Sequence, residues 1–368
     1  MASVFDERMM RMALGLAERG LGLVAPNPAV GCVLVQGDVV VGRGWTQAGG
    51  RPHAETEAIR RAGALARGAT AYVTLEPCAH HGQTPPCAGA LIEAGVARVV
   101  SALGDPDPRV GGAGHDMLRE AGIEVEEGLL REEAAYLNEG FLRRVSDGRP
   151  LVTVKLASSL DGKVSTHSGD SQWITGDRAR NQVHLMRART DAIMVGSATA
   201  IVDDPDLTCR LSGLSKRSPI RIVADGRLRL PLTAKLVRSA REVPVWVLTL
   251  PGGDVARREA FEACGVRVIE IPAGPGGHMD MGIALKKLGQ EGITRLMVEG
   301  GARLVSSLMQ AQLVDRLDWF QAPKLIGGDG QAALAPLGVD KVDQSPRLEL
   351  RQVLSLGEDT LQSFSIER

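Results

Sequence analysis

Aromatic residues make up only 3% of this 368-residue chain, too few for a β-sandwich braced by aromatic corners. Its 44 glycines suit instead a chain with many short strand-to-helix turns. Net charge is lacking as well. With 43 basic against 44 acidic residues, a nucleic-acid binder that works by neutralising phosphates would need a local basic patch, and no stretch supplies one. A small anionic ligand remains open. The cysteines number five, an odd count that makes no disulfide framework. No apolar run approaches the ~18 residues of a membrane span, and the start "MASVFDERMMRMALGLAERG" carries acids where a secretory signal needs an apolar core. These absences predict a reduced, cytoplasmic protein with neither a membrane nor a nucleic-acid partner. At a prior of roughly 150 residues per domain, the length predicts two domains.

What is present is an α/β rhythm. Ser3 followed by Asp6 reads as a capping box opening an amphipathic helix to about Arg19. "AVGCVLV" and "VVVGRG" around "QGD" read as a hairpin. Strands "TAYVTL" and "ARVVSAL" then alternate with helices after His53, after Cys87 and around "HDMLREAG", closing on "GIEVEEG". After a helical "REEAAYLNEGFLRR", the polar break "VSDGRP" predicts a boundary near Asp147, dividing the chain into domains 1–146 and 147–368. The second half restarts the rhythm with "LVTVKLA", "DAIMVG", "PIRIVADG", "VPVWVLTL" and "VRVIEI" as buried strands and "DRARNQVHLMRAR" as a helix. It continues through "RLMVEGGARLVSSLMQAQLVDRLDWFQAPKLIGG" as strand, Gly-Gly turn, helix and strand. No internal repeat links the halves.

The stretch "EPCAHHGQTPPC", Glu76 to Cys87, combines two cysteines, two histidines and three prolines. Proline fixes φ and removes a donor, so this is a rigid loop whose thiols are placed rather than packed. Upstream, "PHAETEAI" puts His53 and Glu55 two residues apart at a helix start. One imidazole from His53 and two thiolates from Cys78 and Cys87 would leave a tetrahedral Zn²⁺ with an open fourth position, the arrangement of a catalytic site. Glu55, beside the metal but not on it, would carry a proton between the attacking water and a leaving amine. Helix N-termini at both elements favour thiolate over thiol. The competing reading is a structural zinc knuckle with His80 or His81 as fourth ligand. The conjunction of H-A-E with P-C on successive elements is the pattern of zinc-dependent base deaminases, although their cysteines stand closer together.

"APNPAVGCVLV", "PHAE", "EPCAHHGQTPPC" and "GDPDPRVGGAG", followed by "VKLASSLDGK", "SGDSQWITG", "MVGSATAIVDDPDLTCR" and "VEGG", resemble the bifunctional riboflavin-biosynthesis deaminase/reductase over essentially the whole chain. The resemblance implies an N-terminal cytidine-deaminase-like domain and a C-terminal dihydrofolate-reductase-like domain. It implies zinc-dependent deamination of 2,5-diamino-6-ribosylamino-4(3H)-pyrimidinone 5′-phosphate, then NADPH-dependent reduction of the ribose to a ribityl chain. It implies His53, Cys78 and Cys87 as ligands of one zinc, Glu55 as proton donor, and Asn27 against the pyrimidine ring. A homo-oligomer, dimer or tetramer, goes with it. Thr46 stands where the family commonly has histidine, Gln83 where it has lysine or arginine, and Asp107 where it has asparagine. None of the three removes a metal ligand.

In the second half the residues alone say less. "VEGGARL" sets two glycines between a strand and a helix, where backbone amides can approach a phosphate, but it is also a common turn. The full G-x-G-x-x-G fingerprint is missing, which argues against a Rossmann site. By the resemblance, Ala157, Trp173, Thr199, Asp203 and the run Gly301, Ala302, Arg303, Leu304, Val305, Ser306 and Ser307 would line NADPH. Ser171, Arg187, Leu207, Arg210 and Glu299 would meet the substrate. Lys155 and Glu299 are candidates to polarise or protonate at the sugar; the alternatives are that Lys155 only caps a strand and that Glu299 pairs with an arginine. Asp161 in "LDG" reads as a turn residue. A sugar phosphate is a dianion, so a chain of net charge −1 must gather positive charge locally. Arg187 and Arg210 are the guanidinium groups expected to do so. The alternatives are a solvated Arg187 and an Arg210 paired with Asp203, Asp204 or Asp206.

Overall fold

The computed structural model describes residues 3–79, 85–106 and 111–367. The chain forms two compact units, Met1–Gly148 and Arg149–Arg368. The division falls where a long helix is stopped by Gly148, whose φ of 69° is left-handed backbone that glycine adopts without steric cost. A proline follows two residues later and prevents the helix from resuming.

The first unit opens with α1 (Val4–Ala17). The Ser3 side chain accepts from the Asp6 N–H, and the Asp6 carboxylate accepts in return from the Ser3 N–H, so the expected capping box forms. A hairpin follows, β1 (Gly31–Gln36) and β2 (Val39–Trp45), then α2 (Ala54–Ala62), β3 (Thr70–Val73), α3 (Cys87–Glu93), β4 (Arg98–Ser101), α4 (Ala113–Glu120), β5 (Glu124–Glu127) and α5 (Arg131–Asp147). The sheet order is β2-β1-β3-β4-β5. β1 runs antiparallel to both of its neighbours, and β3, β4 and β5 are mutually parallel. Met10, Val33, Leu34, Leu91, Val99 and Leu118 are buried in one core. Each such aliphatic side chain contributes about 1.5–3 kcal/mol by leaving water.

The second unit holds β6 (Leu151–Ser159), β7 (Lys163–Ser165), α6 (Asp177–Ala188), β8 (Ala192–Gly196), α7 (Ser197–Val202), β9 (Ile220–Ala224), α8 (Lys235–Arg238), β10 (Val245–Thr249), α9 (Val255–Ala263), β11 (Arg267–Glu270), α10 (Met281–Gln290) and β12 (Arg295–Glu299). It ends with α11 (Ala302–Gln310), β13 (Arg316–Ala322), β14 (Gln331–Ala332), β15 (Leu348–Leu356) and β16 (Asp359–Ile366). Nine strands form one sheet in the order β11-β10-β9-β8-β12-β6-β13-β16-β15. β11 through β13 in that order are parallel, and β16 runs antiparallel to both of its neighbours, β13 and β15. Helices cover both faces, so the central strands are near-continuous apolar runs, as the sequence predicts. The closing hairpin β15–β16 was not among the expected strands. Its first strand is exposed along most of its length, and a bulge between Leu350 and Gln352 puts Leu348 and Leu350 out of step with Val353. No single period therefore marks it. No described helix is long and apolar enough to cross a membrane.

Candidate functional site

In the first unit α2 lies directly on the hairpin because β2 presents glycine beneath it. A Cβ on Gly44 would sit 2.1 Å from the Ala54 carbonyl oxygen, so only glycine permits this approach. His53 is the N-cap of α2, and Cys87 is the first residue of α3. His53 Nδ1 lies 3.2 Å from Cys87 Sγ and 3.7 Å from Cys78 Sγ. All three donor atoms fall within 4.8 Å of one another. Tetrahedral zinc with arms of about 2.0–2.3 Å needs ligand atoms roughly 3.5–4 Å apart, and an imidazole with two thiols is a donor set that zinc favours. The residues therefore fit the metal. His80, His81, Gln83 and Asp107 lie outside the described residues.

Hydrogen bonds within the cluster shift its thiols in opposite directions. The Cys87 thiol and backbone N–H, the latter 3.3 Å away, both bond Cys78 Sγ, and His53 adds a further bond. Together they bring the Cys78 thiol down to about 4. The Cys87 thiol is pushed up, first by its bond to Cys78 and then by burial and by Glu55. Glu55 is 3% exposed; burial lifts its carboxyl to about 7, although His53 opposes the shift.

Asn27 packs its side-chain amide against Gly50, where a Cβ would lie 2.0 Å from Nδ2, three residues before His53. Thr46 is buried with its hydroxyl accepting from the Val30 N–H at 3.0 Å. That hydroxyl closes the end of the hairpin. One residue the sequence reading passed over is Glu76. Its buried carboxylate accepts from the N–H groups of Asp105, Gly112 and Gly114 at 3.0, 3.0 and 2.9 Å, tying the segment before Cys78 to the start of α4. The only signal in the sequence was an acid immediately before a Pro-Cys pair.

In the second unit, sheet order builds the charged cluster. Lys155 on β6 pairs in register with Glu299 on β12 and with Asp318 on β13, so all three project from one face. Arg187 on α6 reaches across with Nε and Nη2 to the two Glu299 oxygens, each at 2.8 Å, and with Nη1 to the Thr208 carbonyl at 3.1 Å. The alternative in which Glu299 pairs with an arginine is thus what the fold builds, and Arg187 is that arginine rather than a solvated helix residue. Burial pulls Lys155 below the ordinary lysine range, with Glu299 opposing. Burial pushes Glu299 up, but Arg187 more than offsets it and holds the carboxyl below its usual range. His184, not anticipated from the sequence, has Nδ1 3.2 Å from the Thr208 carbonyl and 3.3 Å from the Arg210 N–H.

Leu207 is buried with φ of 55°. Arg210, by contrast, is 55% exposed and stands 3.6 Å from Asp206, a surface pair of the kind foreseen as its alternative. Gly300 and Gly301 have φ of 75° and 83° and form the turn before α11, and a Cβ on Gly301 would lie 3.3 Å from Thr199 Oγ1. This open cradle of backbone against a hydroxyl fits a phosphate-bearing cofactor. Within the run Gly301 to Ser307, Val305 belongs to the core and Ser306 gives its hydroxyl to the Ala335 carbonyl. Those two side chains turn away from the turn itself. Asp203 caps the end of α7, and Ala157 is two residues along β6 from Lys155. Trp173 is exposed, with the Arg180 guanidinium 4.7 Å from its ring and Lys324 Nζ on its carbonyl at 2.7 Å. It lines a cleft of about 460 Å³ with Arg178, Lys324 and Asp359. Ser171 lies two residues before it on the same exposed stretch. Asp161 is more than a turn residue: its carboxylate accepts from the Gly327 N–H at 2.7 Å and the Ser159 hydroxyl at 2.5 Å. A separate cleft of about 500 Å³, lined by Met309, Leu337 and Pro346, lies at the end of α11 and contains none of these residues.

A partly buried His/Cys/Cys cluster beside a buried carboxylate, followed by an α/β unit with a charged cluster and a glycine turn, defines a zinc-binding deaminase joined to a reductase. Residues 3–103 match the model of the cytidine and deoxycytidylate deaminase zinc-binding region, and residues 150–362 match that of the RibD C-terminal domain. The riboflavin biosynthesis protein RibD of Escherichia coli is 44% identical over 365 residues, covering 96% of this chain and 97% of that protein. That of Aquifex aeolicus is 41% identical, covering 98% of each. The solved structure of Acinetobacter baumannii RibD, 40% identical, superposes with a TM-score of 0.87 over 99% of both chains. The chain belongs to the RibD family and is a bifunctional deaminase and reductase of riboflavin biosynthesis, with zinc and NADPH as cofactors.

Proposed function

We propose that the two reactions are divided between the two units, deamination in Met1–Gly148 and reduction in Arg149–Arg368. The substrate of the first reaction is 2,5-diamino-6-ribosylamino-4(3H)-pyrimidinone 5′-phosphate, and its deaminated product is the substrate of the second. The observation that carries this reading is the meeting of His53, Cys78 and Cys87 within 4.8 Å beside a buried Glu55.

His53, Cys78 and Cys87 hold the zinc. When bound there it supplies a Lewis acid that makes water a nucleophile near neutral pH. Glu55, lifted to about 7 by burial, is matched to taking a proton from the attacking water and returning it to the departing amine. Asn27 orients the pyrimidine from beside Gly50. In the second unit the Gly300–Gly301 turn, Thr199, Asp203, Ala157 and Trp173 receive NADPH, which supplies the hydride when bound. Arg187 and Glu299 hold the sugar, with Ser171, Leu207 and Arg210 on the same ligand. Lys155, buried and easier to deprotonate than a free lysine, places a proton on the ribose oxygen that opens. The chain works in the cytoplasm as a homo-oligomer.

The test is to give the purified chain the diaminopyrimidine phosphate and to follow ammonia release and NADPH oxidation separately. Ammonia should appear without NADPH present, and NADPH oxidation should require prior deamination. NADPH oxidation on substrate that still carries its ring amine would overturn the order of the two steps.

A further inference from the structure

Arg221 lies on β9 with 0% of its surface exposed. A guanidinium in a parallel-sheet core is costly unless its donors are met. Here they are met by neutral groups. Nη1 donates to Ser239 Oγ at 2.8 Å and to the Asp206 carbonyl at 3.3 Å. Nη2 donates to the Ser239 carbonyl at 3.0 Å and also to that of Val243. Nε finds no partner among the described residues. An apolar side chain here would leave the Ser239 and Val243 carbonyls without their donor, so part of the role of Arg221 is to hold the end of α8. Its bond to Asp206 reaches beyond that segment, into the turn that precedes β9.

Asp206 sits in the turn between α7 and β9, where Asp204 and Leu207 have φ of 38° and 55°. Non-glycine residues hold such backbone only when their surroundings over-determine it, and they cluster at functional sites. Besides the His184 contacts with Thr208 and Arg210, this turn is fastened at three further points. The Asp204 carboxylate accepts from the Lys235 N–H at 2.8 Å, the Cys209 N–H donates to Ser218 Oγ at 3.1 Å, and Arg221 grips the Asp206 carbonyl between them. The next carbonyl but one, that of Thr208, holds Arg187 against Glu299.

We propose that Arg221 is a positioning residue of the reductase site: it keeps the 204–208 turn in the form that presents the Thr208 carbonyl to Arg187 and carries Leu207 and Arg210 to the sugar phosphate. The part concerning Leu207 and Arg210 rests on assigning this turn to the substrate, as above.

The test is reductase kinetics of the full chain carrying Arg221→Met, which removes every donor, and Arg221→Lys, which keeps the charge and folds if the methionine variant does not. Arg221→Met should raise the KM for the deaminated sugar phosphate about tenfold or more while changing the KM for NADPH less than about threefold, and Arg221→Lys should fall between. A merely structural residue would lower the melting temperature and the active fraction but leave KM of the folded enzyme alone. That outcome, in whichever variant folds, overturns the proposal. Arg210→Ala is measured alongside. If it leaves substrate KM unchanged while Arg221→Met raises it, the turn acts through Arg187, and the assignment of Arg210 fails while the role of Arg221 stands. If Arg210→Ala raises KM and Arg221→Met does not, the assignment stands and Arg221 is not a positioning residue.

Discussion

In the first unit the proposed metal centre is gathered from a short stretch: His53 and Cys87 are 34 positions apart, each at the N-terminus of a helix that follows a strand. In the second unit the Arg187–Glu299 pair joins residues 112 positions apart, and Lys155 meets Glu299 only because β6 and β12 are neighbours in the sheet. A metal concentrates its requirements in a few side chains with distinctive chemistry, and rigid local loops are enough to aim them. Binding a sugar phosphate and a dinucleotide spreads the requirements over backbone amides, carbonyls and common charged residues, which many sequences contain for other reasons. The first kind of site shows itself as a motif and the second as a topology.

The sharpest way to break this contrast is at the zinc ligands. Cys87→Ser should strip most of the zinc, measured by metal analysis, and abolish ammonia release. Glu55→Gln should keep the zinc and still lower deamination by about 10²- to 10⁴-fold. Both variants should oxidise NADPH normally on substrate that has already been deaminated. A reductase equally dead in either one would mean that the two sites share structure.

The counterpart in the second unit is Arg187→Ala, which takes from the buried Glu299 carboxylate its two direct hydrogen bonds and leaves it only the neighbouring Lys155 charge. Breaking a buried pair from one side costs about 3–5 kcal/mol. Denaturation followed by tryptophan fluorescence should reveal it, because Trp173, Trp246 and Trp319 lie in this unit and only Trp45 in the other. Arg187→Lys should recover only part of the loss, since a point charge cannot reproduce the two parallel bonds. An unchanged denaturation midpoint would show the pair to be worth nothing to the fold.

A third and smaller effect separates close packing from ligand chemistry. Gly44→Ala puts a methyl group 2.1 Å from the Ala54 carbonyl oxygen and must push α2 off the hairpin, at about 1–3 kcal/mol. Because α2 carries His53 and Glu55, zinc affinity should fall although no ligand has changed, as a chelator competition would measure. Affinity equal to the parent's would mean that α2 is not what aims His53.

The smallest expected change is a control within the first unit. Asp6 is pushed up by burial, but its ion pair with Arg98 at 3.0 Å and the Tyr72 hydroxyl at 2.6 Å more than offset this and hold it well below the ordinary carboxylate range. A group whose folded-state value is depressed adds stability that is present above its unfolded value near 4 and is lost as the pH falls below it. Asp6→Asn should therefore cost about 1 kcal/mol at pH 7, with the difference from the parent shrinking as the pH is lowered from about 5. Zinc content and both reactions should stay unchanged. A difference that grew toward low pH would have the wrong sign for this account.

The order of elements was legible because apolar period and turn residues are local: the Ser3–Asp6 cap, the hairpin about Gly37 and the parallel strands of the second unit all stand where their patterns put them. The donor set of His53, Cys78 and Cys87 was legible for the same reason, its chemistry being written in the side chains. Tertiary structure alone decided that Glu299 takes Arg187 as its partner and that Arg210 stays at the surface with Asp206, for either arginine is an equally good cation in sequence. It also decided that Glu76 binds three amides, that Thr208 contributes its carbonyl rather than its side chain, and that Arg221 lies buried under the 204–208 turn. Hydrogen bonds to backbone atoms leave no mark on residue identity, and burial of a charge depends on which strands become neighbours. Both are settled only when the chain has closed its sheets.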